Sequence, residues 1–246
     1  MELKTIGTGE ILGKYRSACS LIDNNVLIDC GNGLVKTMAE QGIDINEIET
    51  VLITHTHADH ILDLPFFIFT RAFQSPKKRA TIYSPMGTEK MIELICNECL
   101  GDVPDIYQTW KENSKVEFCE FETLENQKVA NDYYVTAYLV DHGNRKPAYG
   151  YTVTKENKTI GFSGDSIYCE GVEKIVQKSN VAVLDMAVPI FSTNRAHMGT
   201  DNIELLCKKY NKTIVATHMS EEARQYAKSR NIKNLIIPSD GDTIII

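Results

Sequence analysis

Several features of membrane and secreted proteins are missing from this 246-residue chain. No apolar run approaches the ~20 residues that a membrane-spanning helix needs. The segment Met1 to Lys4 lacks the charged, apolar and small-residue order of a secretory signal. The seven cysteines are an odd number in a chain of ordinary size, so a disulfide framework is not expected. We therefore expect a cytoplasmic protein with reduced thiols and no membrane association.

An excess of positive charge is also lacking. The chain has 33 acidic and 26 basic residues, which give a formal net charge of -7. Proteins that bind nucleic acid without sequence preference rely on a basic field, so this balance disfavours such binding. The short basic cluster at Lys77, Lys78 and Arg79 is interpreted as a solvated loop. Cys96 and Cys99 form a CxxC pair in a helix-like stretch, where packing is favoured over metal binding.

No proline- or glycine-rich linker divides the chain, so we predict one domain over residues 1–246. Short β-branched runs alternate with amphipathic stretches, which is the pattern of an α/β protein with mixed sheets. Residues 101–129 are more polar and less regular, and they are a candidate insertion. A strand-like segment follows the N-terminus, and the further predicted strands are 26–30, 51–54, 80–83, 133–140, 149–154, 159–162, 181–184, 213–216, 235–237 and 243–246. The predicted helices are 34–41, 61–73, 88–100, 170–178, 201–210 and 221–230.

Local signals refine this pattern at a few positions. Asn157 and Lys158 separate two strands and predict a hairpin turn. Thr200 or Asp201, and Ser220, are predicted N-caps of the last two helices. Two predicted strands end in the same dipeptide, Thr54-His55 and Thr217-His218. Such strands could place their histidines at one common edge, although the similarity is too short to indicate a duplication.

The strongest motif is the run from Thr54 to His60, with the sequence THTHADH directly after an apolar strand. It holds four candidate metal ligands, among them three of the chain's six histidines. The strand provides a rigid base, and the following turn lets alternate side chains converge. Imidazole nitrogens and a carboxylate oxygen together suit zinc, iron or manganese. A polar loop rich in histidine by chance is the alternative, and we favour a metal site.

This run has the form HxHxDH and resembles the signature of the metallo-β-lactamase superfamily. Further matches follow in the family's order along most of the chain. They are the opening strand Met1 to Gly9, Asp29-Cys30-Gly31, His142 after a strand, Ser163-Gly164-Asp165 and the late His218. The resemblance implies a four-layer αβ/βα sandwich with two mixed sheets and metals at one sheet edge. This architecture agrees with the predicted strands and helices.

The resemblance also implies two divalent metal ions, with zinc favoured and manganese or iron as alternatives. One ion would bind His55, His57 and His142. The other would bind Asp59, His60 and His218, and Asp165 would bridge the two. Asp59 is also grouped with the candidate catalytic residues. Asp29 is a candidate to orient an imidazole, and purely local hydrogen bonds are an equal alternative. Histidine at position 57 makes the redox chemistry of the superfamily's di-iron branch less expected.

Hydrolysis is the chemistry that such a centre would perform. Two bridged ions would lower the pKa of a bound water and provide hydroxide near neutral pH. The hydroxide would attack an electrophilic phosphorus or carbonyl carbon. The chain has no GxSxG elbow and no P-loop, so no other nucleophile or phosphate cradle is indicated.

His197 distinguishes among branches of the superfamily. It resembles a histidine in tRNA 3′-processing endonucleases and related phosphodiesterases, where it donates a proton to the leaving group. Asp185 matches the acid that pairs with that histidine. A loop histidine without a catalytic role is the alternative. The chain differs from this branch at two places: Asp63 stands where the branch usually has glycine, and Ala196-His197-Met198-Gly199 replaces GHST.

The substrate class is predicted from His197, the net charge of -7 and one further absence. No Gly- and Pro-rich basic arm is found between Thr88 and His142, where tRNA-processing enzymes commonly carry one. We therefore predict a phosphodiesterase that acts on a small phosphodiester, such as a cyclic nucleotide or a nucleotide-derived compound. The alternatives are a tRNA 3′-processing endonuclease (ribonuclease Z), a lactonase or thioesterase, and a binding or scaffold protein without turnover. Related proteins are often dimers, so a homodimer is a further expectation.

Overall fold

In a computed structural model, the chain forms two β-sheets that pack face to face, with helices on both outer sides. The structure describes residues 1–190 and 196–246. The strands in this part are β1 Glu2–Gly7, β2 Cys19–Ile22, β3 Val26–Ile28, β4 Thr50–Leu52, β5 Ala80–Pro85, β6 Val116–Phe121, β7 Gln127–Lys128, β8 Tyr134–Leu139, β9 Tyr149–Lys155, β10 Lys158–Phe162, β11 Val181–Asp185, β12 Thr213–Thr217, β13 Leu235–Ile236 and β14 Thr243–Ile245. The helices are α1 Leu34–Glu40, α2 Ala58–Ile61, α3 Leu64–Gln74, α4 Thr88–Ile95, α5 Ile106–Ser114, α6 Glu170–Lys178, α7 Thr200–Tyr210 and α8 Glu221–Arg230. Among these described helices, none combines the length and the apolar character required to cross a bilayer.

Each sheet has seven strands within the described residues and combines parallel with antiparallel pairing. The first sheet has the order β14-β1-β2-β3-β4-β5-β6, and the second has the order β13-β12-β11-β10-β9-β8-β7. Strands β3 to β6 run parallel in the first sheet, as do β10 to β13 in the second. The prediction of two mixed sheets is confirmed.

Three apolar layers hold the sheets and helices together. Between the sheets, side chains such as Ile28, Leu52, Tyr151 and Val153 are buried. A second layer lies between the first sheet and α1, α3, α4 and α5, and a third lies between the second sheet and α6, α7 and α8. Burial of one large apolar side chain contributes roughly 1.5–3 kcal/mol. The predicted four-layer αβ/βα sandwich is therefore confirmed, while the single-domain boundary over residues 1–246 stays a prediction.

Residues 101–129, the candidate insertion, are more regular than their sequence suggests. This segment contains α5 and β6, and β6 pairs in parallel with β5 at the edge of the first sheet. Edge strands expose part of their side chains to water, and Glu117 and Cys119 are exposed in β6. The polar character of the segment therefore reflects its position at a sheet edge, and its being an insertion stays a prediction.

Other boundaries differ from the sequence predictions for local reasons. The predicted helix 61–73 is divided into α2 and α3, and Pro65 lies in the first turn of α3, where its missing N–H has no cost. Strand β2 has only four residues and was not predicted. The N-cap of α7 is Gly199, so the prediction of Thr200 or Asp201 is wrong, whereas Ser220 caps α8 as predicted.

Two smaller predictions, on a hairpin turn and on the CxxC pair, can be compared with the structure. The hairpin between β9 and β10 forms, but its turn is at Glu156 and Asn157, and Lys158 is already in the strand. Cys96 is buried in the helix-covered core of the first sheet, and Cys99 is exposed. Both are free thiols.

Candidate metal centre

The candidate ligands lie where strands of the two sheets end. Thr54 and His55 follow β4 of the first sheet, while Asp165 and His218 follow β10 and β12 of the second. Tyr149 N donates to Thr54 O at 2.9 Å and ties the two sheets at this edge. Parallel strands present their carboxyl ends at one edge, so residues far apart in sequence converge there. The two Thr-His strand ends thus meet at one common edge, as the sequence suggested.

The first group of candidate ligands consists of three histidines. His57 Nδ1 lies 3.0 Å from His55 Nε2 and 3.1 Å from His142 Nε2. A tetrahedral zinc ion with Zn–N bonds of ~2.0–2.1 Å separates its ligand nitrogens by about 3.3 Å. Burial and the nearby His60 lower the pKa of His55 well below its usual range, which favours the neutral imidazole that binds metal. The group therefore suits a small divalent ion.

The second group combines histidine with carboxylate. Asp59 Oδ2 lies 3.6 Å from His60 Nε2 and 3.3 Å from His218 Nε2. These ligand atoms, together with a carboxylate oxygen of Asp165, lie within 4.8 Å of one another. His60 Nε2 is buried and has no hydrogen-bond partner among the described residues. A buried polar atom without a partner is costly, and a bound cation would satisfy it.

Asp165 lies between the two groups. Its Oδ2 is 3.3 Å from His60 Nε2 and 3.2 Å from His218 Nε2 on one side. On the other side it is 3.8 Å from His55 Nε2 and 3.9 Å from His142 Nε2. Burial alone would raise the pKa of Asp165, but the His218 and His60 imidazoles hold it well below its usual range. An ionised carboxylate at this position suits the bridging role predicted for it.

The imidazoles are oriented by hydrogen bonds on the side away from the centre. His60 Nδ1 donates to Asp29 Oδ2 at 2.8 Å, and His142 Nδ1 donates to Ala196 O at 2.8 Å. Thr54 Oγ1 lies 3.0 Å from His55 Nδ1. Partners of this kind fix the tautomer and direct the second ring nitrogen inward. In each ring the nitrogen left for a metal faces the other ligands.

His197 and Asp185 form a separate pair beside the second group. His197 Nδ1 donates to Asp185 Oδ2 at 2.9 Å, and its ring stacks on His218 with centroids 4.9 Å apart. Burial opposes the charged imidazole, but Asp185 raises the pKa of His197 to about 9. Asp185, His197, Asp165 and His218 could themselves hold a metal. Asp185 Oδ2 also accepts a hydrogen bond from Ser166 N at 3.0 Å, which holds this carboxylate in place beside His197.

A cavity of about 780 Å³ opens onto these groups. Its lining adds residues that the sequence reasoning did not select: Glu10, Ile11, Arg145 and Glu222. Arg145 lies three residues after His142, but no pattern in the sequence distinguishes it from the other arginines. Asp63 stands where the branch that this chain resembles has glycine. Its carboxylate accepts hydrogen bonds from Gly33 N at 3.0 Å and from Val35 N at 2.8 Å. It therefore stabilises the first turn of α1 and is outside the cavity.

Comparison with known proteins identifies a family model that matches this chain. A family model described as "Anti-Pycsar protein Apyc1" matches residues 1–239. Ribonuclease Z of Listeria monocytogenes is 29% identical over 183 residues, which cover 70% of this chain and 55% of that protein. The chain therefore spans about half the length of that relative.

Solved structures agree with the architecture. A diphosphatase of the PhnP family has a TM-score of 0.77 and 17% identity, covering 100% of this chain and 97% of that one. The metallo-β-lactamase fold protein YhfI from Bacillus subtilis has a TM-score of 0.74 and 15% identity, covering 99% and 98% of the two chains. At these identities the likeness concerns the fold, and it confirms the metallo-β-lactamase fold.

Proposed function

The chain belongs to the family described as the anti-Pycsar protein Apyc1, and from its site we propose a metal-dependent hydrolase that cleaves a small phosphodiester. The substrate class is a cyclic nucleotide or a nucleotide-derived compound. The observation that carries this proposal is the His197–Asp185 pair, which lies beside a group of converging metal-ligand candidates. A phosphodiester needs such a pair, because its alkoxide leaving group departs more easily when protonated.

We assign two divalent ions, with zinc favoured and manganese or iron as alternatives. The assigned ligands are His55, His57 and His142 for one ion, Asp59, His60 and His218 for the other, and Asp165 for both. When bound, the ions would supply hydroxide at neutral pH and stabilise negative charge on the substrate oxygens. The unpartnered His60 Nε2 and the spacing of the first three histidines support this assignment.

His197 would donate the proton to the leaving oxygen. Asp185 engages its Nδ1, so in this proposal the proton is transferred from Nε2. Asp185 is held in place by Ser166 N on one oxygen and Ala187 N on the other, both at 3.0 Å. This arrangement fixes the tautomer and keeps the imidazole basic. General acid catalysis of this kind contributes roughly 10²- to 10⁴-fold in rate.

The structure of residues 88–142 and the net charge of the chain favour a small substrate over tRNA. Residues 88–142, where an RNA-gripping arm would be inserted, include α4, α5, β6 and β8, and these elements pack against the two sheets. The chain is acidic, with a net charge of -7. Both observations disfavour a long anionic polymer. The Listeria ribonuclease Z relative keeps the tRNA endonuclease as the second candidate function.

The decisive experiment compares two leaving groups. Zinc- or manganese-loaded protein is assayed with 3′,5′-cyclic nucleotides, which release an alkoxide, and with bis(p-nitrophenyl) phosphate, which releases a more stable phenolate. His197→Ala should lower turnover of the cyclic nucleotide by roughly 10²- to 10⁴-fold and that of the phenolate ester less. The metal content should not change. Undiminished turnover of both substrates would show that His197 is not the proton donor.

The alternatives have their own assays. Precursor tRNA cleaved at low salt, with cyclic nucleotides left intact, would replace the small-substrate proposal with the endonuclease. Hydrolysis of lactones or thioesters that is indifferent to His197→Ala would indicate a carbon-ester hydrolase. Bound metal without turnover on any of these substrates would indicate a binding or scaffold protein.

A further inference from the structure

We propose that Arg145 binds the anionic phosphoryl group of the substrate and positions it over the first histidine group. This inference rests on the proposed phosphodiesterase function and names the residue that recognises the charge of the substrate. Arg145 lines the same cavity as His57, His142 and His197.

A tight turn fixes Arg145 next to a candidate metal ligand. Arg145 N donates to His142 O at 3.1 Å, and the two residues form an isolated β-bridge. Gly143 has a φ of 60°, in the left-handed region where glycine carries no steric cost. Gly143 N also donates to Asp141 Oδ1 at 3.2 Å. The backbone of Arg145 is therefore held close to His142.

The guanidinium of Arg145 also forms hydrogen bonds with the segment Thr54 to His60. Arg145 Nη2 donates to Thr56 O at 2.7 Å and to Thr56 Oγ1, and Thr56 lies between His55 and His57 in the chain. Arg145 is thus connected to both segments that carry the first three candidate ligands. Its Nε and Nη1 form no hydrogen bond within residues 1–190 and 196–246. A guanidinium carries five N–H donors in a planar fork that suits phosphate oxygens.

The charge of the cavity gives Arg145 a specific role. Among the described lining residues it is the sole lysine or arginine. The lining carboxylates are Asp59 and Asp165, which are assigned to the metal ions, and Glu10 and Glu222. No carboxylate of the described chain forms an ion pair with Arg145. A cation beside a group that is to bind metal is unfavourable unless an anion balances it. The phosphodiester monoanion would provide that balance.

The test replaces the charge and follows binding separately from turnover. The variants are Arg145→Gln and Arg145→Lys, and the matched control is Lys146→Gln at the exposed neighbouring position, which does not line this cavity. Isothermal titration calorimetry with inorganic phosphate is performed on zinc-loaded protein, and KM and kcat are measured with bis(p-nitrophenyl) phosphate. Metal content is measured for every variant.

We expect Arg145→Gln to weaken phosphate binding and to raise KM by roughly 10- to 100-fold, with full metal content. Arg145→Lys should recover part of this loss because it restores a point charge, and Lys146→Gln should match the wild type. Unchanged phosphate affinity in Arg145→Gln would refute the inference. Loss of metal in that variant would also refute it, because Arg145 would then act only by holding the segment Thr54 to His60 in place. Failure of the proposed function is distinguishable, since wild-type protein would then bind phosphate but leave diesters intact.

Discussion

Asp29 Oδ2 accepts a hydrogen bond of 2.8 Å from His60 Nδ1 and thereby directs His60 Nε2 toward the candidate centre. Asp29 also accepts from Thr54 N at 2.8 Å and from the Thr54 hydroxyl. Its φ of 61° is in the left-handed region, which aspartate tolerates better than most residues. These bonds join distant parts of the chain, so they favour an orienting role for Asp29 over purely local hydrogen bonds.

Removal of this carboxylate should weaken metal binding. We expect Asp29→Ala to lower the affinity for zinc by roughly 10- to 100-fold, because His60 loses the partner that fixes its tautomer. Competition with a chromophoric chelator measures the affinity, and thermal melting of the metal-free protein reports any loss of fold. Asp102→Ala, at an exposed loop carboxylate, is the control. Equal zinc affinity in the two variants would exclude the orienting role.

Asp165 lies between the two groups of candidate ligands. Its replacement should therefore remove more metal ions per chain than replacement of a ligand that contacts one group. Because Asp165 Oδ2 is within 4 Å of His55, His60, His142 and His218, Asp165→Ala should deplete both ions. His57 contacts one group alone, so His57→Ala should deplete one ion. Elemental analysis after gel filtration gives the metal-to-protein ratio. A single ion retained at full occupancy in Asp165→Ala would contradict the bridging assignment.

The charge of Asp185 should matter to turnover and not to metal binding. Asp185→Asn retains the size of the side chain, but removes the negative charge that keeps His197 basic. We expect kcat on a 3′,5′-cyclic nucleotide to fall by roughly 10²-fold or more, with a smaller effect on bis(p-nitrophenyl) phosphate. Asp102→Asn serves as the matched control. Loss of metal from Asp185→Asn would instead favour Asp185 and His197 as ligands.

The fold and the composition of the site could be predicted because their signals are local. The HxHxDH run, the SGD turn and the two Thr-His strand ends are short segments at strand ends, and strand ends converge when the strands are parallel. Strand β6 could not be recognised, because an edge strand exposes alternate side chains and resembles a polar loop. Its place is decided by pairing with β5.

Arg145 and Asp29 show what sequence reasoning could not supply. The role of Arg145 depends on a turn that returns it to His142 and on a hydrogen bond to Thr56, 89 residues away in sequence. Asp29 was a candidate, but only its distance to His60 separates orientation of an imidazole from local bonding. Contacts between distant residues depend on packing of the whole chain, so no short pattern reports them.

Arg71 provides a test of the fold that is independent of the centre. It is fully buried, and its guanidinium donates to four backbone oxygens, those of Ile45, Ile48, Lys78 and Ser114. Burial lowers the pKa of Arg71 to about 10, so the side chain remains charged near neutral pH. It thus joins α3 to the end of α5 and to the loops before β4 and β5.

Arg71→Met would keep most of the volume but remove the Arg71 donor from these four carbonyl groups, of which Ile45 O keeps a bond of 3.4 Å from Ile48 N. We expect the free energy of unfolding to fall by about 2–4 kcal/mol, because buried acceptors without partners retain their desolvation cost. Urea denaturation of the metal-free protein measures the change, and the exposed Arg79→Met is the control. Below its melting temperature the variant should retain its metal content, since Arg71 does not line the cavity. An unfolding midpoint equal to that of Arg79→Met would show that other groups or water satisfy the four carbonyls, and that Arg71 does not hold these segments together.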